Sequence, residues 1–108
     1  VAKRNVVWTR TADIQLVGVL EYWISRNKTT TYSKKLLKSV VVSTNQIAET
    51  PFLFKATDFV DVRVATLGTF SIFYKVTSTE IIVTAFWDNR QNPQELLKIL
   101  AKAKDKKH

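Results

Sequence analysis

The spacing of apolar residues in this 108-residue chain changes at Pro51, and that change restricts the fold more than any other feature. Upstream, apolar side chains recur every three or four residues, the period of one helix face. Downstream they alternate or run continuously, as in strands. Ile14, Val17, Leu20, Trp23 and Ile24 make such a stripe, expected to be the core side of a first helix capped by Thr11, with Asp13 in its first turn. Gly18 interrupts the helix at a cost of roughly 1 kcal/mol against alanine, which points to a close helix contact there. Arg26-Asn27-Lys28 ends it with cations and a turn residue. A second helix is predicted over residues 31–48, with Tyr32, Leu36, Val40 and Ile47 on one side and a β-branched run, Val40-Val41-Val42, as its weakest part. The short connection makes the pair an antiparallel hairpin.

A short strand, residues 5–9 with Val6, Val7 and Trp8, precedes the helices. Beyond Pro51, Val60, Val62 and Val64 alternate with Asp61 and Arg63, as in a half-buried strand with one polar face. Residues 70–76 are apolar on both parities, which predicts a central strand covered on both sides, and residues 81–87 make the last strand. The turns Leu67-Gly68-Thr69 and Thr77-Ser78-Thr79 favour an antiparallel meander. Asn92-Pro93-Gln94-Glu95 is a helix start, with Asn as cap and Pro at the first position, and Leu96, Leu97, Ile99 and Leu100 supply an apolar side. The predicted class is α+β in the order β-α-α-β-β-β-α, with the helical hairpin and the C-terminal helix packed on a small antiparallel sheet. Residues 1–103 are expected to form one domain and residues 104–108 a lysine-rich tail.

Composition removes several chemistries. The chain has no cysteine, which excludes disulfide scaffolds and thiolate chemistry, and its one histidine, His108, ends the chain. No cofactor or metal is implied. Residues 1–10 lack the apolar core of a signal peptide, and no run reaches the ~18–20 apolar residues of a membrane span, so a cytoplasmic location is expected. The formal charge of +8 is uneven: +5 over residues 1–50, −1 over 51–97 and +4 over 98–108. A basic chain meets nucleic acid or an acidic partner. Here the charge sits on the helices and tail, away from the strands.

The element order, with a tryptophan in the first strand and Tyr22-Trp23 late in the first helix, resembles the RelE/ParE superfamily of bacterial toxins. Gly68 followed by Phe70-Ser71-Ile72-Phe73-Tyr74-Lys75-Val76 is similar to that family's Gly-aromatic-x-aliphatic-x-Tyr-basic-Val strand. Arg90, within Phe86-Trp87-Asp88-Asn89-Arg90-Gln91-Asn92-Pro93, stands where members carry an arginine after the last strand. The resemblance covers about residues 5–100. It implies the toxin half of a type II toxin–antitoxin pair, neutralised by a cognate antitoxin whose binding segment is expected to be acidic and amphipathic. Two mechanisms occur in the superfamily: RelE-like members cleave mRNA on the ribosome without a metal, and ParE-like members inhibit DNA gyrase by binding.

For a RelE-like nuclease the candidate catalytic residues are Lys55, Arg63 and Arg90, because metal-free RNA cleavage needs cations around the phosphate. The third-strand arginine of such enzymes is replaced by Ser71, and no tyrosine follows Arg90. The ParE-like reading is therefore favoured, with Arg63, Arg90, Trp87 and Asp88 as candidate target contacts. Each has a plain structural alternative: Arg63 paired with Asp61, Arg90 with Asp88, Trp87 in the core. Tyr74 is expected in the core with its hydroxyl bonded. A basic nucleic-acid-binding module unrelated to toxins is the further alternative.

Overall fold

Eight elements follow one another: β1 (Asn5–Trp8), α1 (Arg10–Asn27), α2 (Thr31–Glu49), β2 (Lys55–Ala56), β3 (Arg63–Leu67), β4 (Phe70–Val76), β5 (Glu80–Asp88) and α3 (Pro93–Asp105). The computed structural model describes residues 3–105, with side chains through residue 101. The strands form one sheet in the order β1-β5-β4-β3-β2. β2 through β5 pair antiparallel, as the tight turns require, whereas β1 lies parallel to β5. The fold is α+β and the sheet is mixed: β1 leads into the helical hairpin, which carries the chain to β2 at the opposite edge, and the meander then brings β5 back beside β1 in the same direction.

The hairpin covers one sheet face. Leu36, Val40 and Ile47 of α2 pack there with Leu16 of α1 and with Phe70, Ile72, Tyr74, Ile81, Val83 and Phe86 of the sheet. On the opposite face α3 brings Leu100, with Leu96 and Ile99, onto Val62, Phe73, Ala85 and Trp87. β4 is thus covered on both sides, and this accounts for its apolar residues at both parities. Ser33 Oγ donates to the Leu20 carbonyl at 2.7 Å and ties the two hairpin helices together.

Several sequence expectations change. The cap of α1 is Thr9, whose Oγ1 accepts from the Ala12 N–H at 3.2 Å, rather than Thr11. The buried side of α1 carries Ala12 and Leu16, while Ile14, Val17 and Ile24 are exposed. Leu20 packs on the core as expected, but apolar residues lie on two sides of this helix and the expected stripe straddles both. Gly18 has open space around it, not a close contact. Val60 and Asp61 fall in a turn before β3, with Asp61 at φ 63°, and the short edge strand β2 was not expected. α2 keeps its helix through Val40-Val41-Val42, since Val40 is buried and tertiary packing outweighs local propensity. Asn92 caps α3 as expected, its Oδ1 accepting from the Gln94 N–H at 2.9 Å. That helix runs to Asp105, and residues 106–108 of the lysine-rich stretch lie outside the described residues. No helix among the described residues is long and apolar enough to cross a membrane.

Candidate functional site

The position of the principal cleft follows from two local events on β5. β1 pairs with it only as far as Trp8 opposite Val83, where the chain turns into α1. One residue later Thr84 is bulged: Phe73 of β4 faces Ala85, and Tyr74 faces Val83. The Thr84 Oγ1 donates to the Phe73 carbonyl at 3.3 Å within the bulge. An inserted residue reverses the alternation, so Phe86, not Ala85, joins Ile81 and Val83 on the hairpin side. Beyond the end of β1 the Phe86 N–H is met by the Gln15 side-chain oxygen at 2.9 Å, which fastens α1 to this strand edge.

The resulting cleft, of about 670 Å³, is lined from α1 by Ile14, Gly18, Trp23 and Arg26 and from the strand end by Asp88 and Arg90. Trp23 is its centre. Tyr22 meets the indole edge-on at 5.2 Å between ring centroids, and Tyr32 at the start of α2 lies at 5.1 Å. The guanidinium carbons of Arg26 and Arg90 stand 5.9 and 5.7 Å from the indole centroid, within cation–π range. Arg90 also clasps Asp88, donating from Nε to Oδ1 at 3.0 Å and from Nη2 to Oδ2 at 2.7 Å, while its backbone N–H donates to Oδ1 at 3.0 Å. Those side-chain bonds hold the Asp88 carboxyl below the usual carboxylate range, against the opposing pull of partial burial. The Arg90 charge is thereby compensated. Arg26 has no ion-pair partner among the described residues.

The candidates named from sequence separate into two groups. Asp88 and Arg90 come together at the cleft. Trp87 lines it but is only 7% exposed, its side chain belonging to the core under α3. Arg63 lies at the other end of the sheet: it is opposite Tyr74 on β4, whereas Asp88 is opposite Phe70, about 13 Å further along that strand. Its Nη1 donates to the carbonyls of Phe54 at 2.8 Å and Phe52 at 3.4 Å, and its guanidinium stacks over the Phe52 ring at 5.3 Å. It forms no ion pair with Asp61 among the described residues. Tyr74 fastens the same segment, its hydroxyl donating to the Pro51 carbonyl at 2.7 Å. Burial pushes that phenol up to about 12, with Arg63 pulling the other way. Lys55 is exposed on β2 at the sheet edge. Ser71, where a RelE-like enzyme carries arginine, is buried and donates to Asn89 Oδ1 at 2.8 Å.

A second groove, of about 520 Å³, runs between α2 and β3, lined by Lys35, Lys38, Val42, Gln46, Thr66 and Leu67. β2 pairs only with Arg63 and Val64, so this stretch of β3 has no strand outside it. A smaller hollow of about 350 Å³ continues it past Gly68. No group of three or more acidic, histidine or cysteine side chains placed to hold a metal ion occurs among the described residues.

The aromatic centre of the cleft was missed by sequence reading, which assigned Trp23 to a core stripe. Tyr22-Trp23 with Arg26 one turn on was the available signal, because residues three apart share a helix face. Nothing in the sequence placed Arg90 over that indole.

The fold has a counterpart among solved structures. It is similar to a chain of the chromosomal ParDE TA system from P. aeruginosa, with a TM-score of 0.67 and 18% sequence identity over 78% of this chain and 94% of that one. No known family's sequence profile matches the chain, and no curated protein matches it in sequence.

Proposed function

We propose that this chain is the toxin half of a type II toxin–antitoxin pair and acts by binding its target, in the manner of ParE-like inhibitors, with DNA gyrase as the target to test first. The fold shared with a ParDE chain supports the toxin reading. The observation that carries the choice of mechanism is the scattering of the cations a metal-free nuclease would gather. Arg63 is engaged with backbone carbonyls, Arg90 with Asp88, and Ser71 stands in place of the third-strand arginine. A phosphate in flight needs several uncompensated donors within hydrogen-bond reach of one point.

The cleft around Trp23 is the proposed target-contact face, with Asp88 and Arg90 at its rim. The α2–β3 groove, bearing Lys35 and Lys38, suits an acidic amphipathic antitoxin segment. A supercoiling assay with purified gyrase decides the mechanism: inhibition at micromolar toxin, weakened by Arg90→Ala, is expected. Unimpaired supercoiling together with cleavage inside translated codons would instead establish the RelE-like ribonuclease.

A further inference from the structure

The outward side of α1 is apolar at positions where a surface helix ordinarily meets water with charge. Ala12, Leu16 and Val19 turn to the core. The opposite side carries Arg10, Ile14, Val17, Glu21 and Ile24, at alternating steps of four and three, the spacing of a two-helix seam. Ile14 is 59% exposed, Val17 43% and Ile24 38%. Neither Arg10 nor Glu21 has an ion-pair partner among the described residues.

This stripe complements itself in one orientation. When two copies of α1 pack antiparallel with Ile14 of one against Val17 of the other, Arg10 falls against Glu21 of the other copy. Two-fold symmetry makes each of these contacts twice. Parallel packing sets Arg10 on Arg10 and Glu21 on Glu21. An antiparallel slip that brings Ile14 against Ile24 sets Arg10 against Lys28 and Val17 against Glu21. Like charges and a charge on an apolar residue disfavour both. We infer that α1 is a self-association surface and that its occupant is a second copy of this chain, docked antiparallel about a two-fold axis between Ile14 and Val17. This inference goes beyond the toxin reading and does not depend on it. One helix from each copy covers less than the ~800 Å² per partner of a standard stable interface, so the dimer forms in a concentration-dependent way.

Sedimentation velocity on the purified full chain, from micromolar to millimolar concentration, tests it. A shift from monomer to dimer is expected, lost in Ile14→Asp. Arg10→Glu and Glu21→Arg alone should each weaken association by about tenfold or more, and the two together should restore it. Both charged positions are exposed, so these variants decide the matter even if Ile14→Asp folds poorly. A chain that is monomeric throughout, a dimer indifferent to all of these changes, or a double swap that fails to restore association would each overturn the inference.

Discussion

Arg90 holds Asp88 by two side-chain hydrogen bonds, at 3.0 and 2.7 Å, while presenting its guanidinium to the face of Trp23 at 5.7 Å. One residue thus closes the strand end and forms part of the wall of the aromatic cleft. Because the side-chain bonds depress the Asp88 pKa below 3.8, the pair contributes stability that is present above that value and is lost as pH falls through the folded pKa. Asp88→Asn should therefore lower stability modestly at neutral pH, where the pair is intact, and flatten the acid limb of a stability–pH curve below about pH 4. Thermal melts of both proteins across pH 2 to 7 check this.

Tyr74 gives the opposite limb. Its phenol is raised from 10.0 to about 12 by burial, so its contribution is complete below pH 10 and declines as pH rises towards 12. Tyr74→Phe should remove that alkaline loss. At neutral pH it should cost about 1–3 kcal/mol, because the buried Pro51 carbonyl loses its donor. Urea unfolding at pH 7 and at pH 11 measures both effects.

Helix α1 allows a direct test of which side is core. Leu16→Ala should destabilise by about 2–5 kcal/mol, as buried leucine truncations do, whereas Ile14→Ala should stay within about 0.5 kcal/mol. Chemical denaturation at low protein concentration compares them.

The two glycines should respond in opposite directions. Gly68 turns between β3 and β4 at φ +60°, so Gly68→Ala is expected to cost about 1–2 kcal/mol through the backbone alone, there being no neighbouring atom to clash. Gly18 sits in a helix with open space at its Cβ position, so Gly18→Ala should stabilise by about 0.5–1 kcal/mol. Melting temperatures should fall in the first case and rise in the second.

Much of the fold was legible because it depends on local chemistry. The Asn92-Pro93 start of α3, the Gly68 turn and the two-sided apolar run of β4 each follow from a few adjacent residues. The site was less legible. Arg63 and Arg90 look equivalent as strand-associated arginines, yet one fastens the Pro51–Phe54 segment and the other forms a wall of the cleft. Trp23, which fixes the place of Arg90, is far away in the chain, whereas Arg63 is held by carbonyls nine and eleven residues upstream.

The sequence by itself determined the three helices, the strands β1, β4 and β5, their order and the burial of both faces of β4, since periodicity and turn residues act within a few residues of one another. Only the tertiary structure decided which side of α1 faces the sheet, that β1 joins parallel, and that Arg90, while clasping Asp88, meets Trp23. The physical reason lies in the Thr84 bulge and the early end of β1. A one-residue insertion reverses every later side chain on the strand, and its position depends on pairing with β4 rather than on the residues of β5 alone.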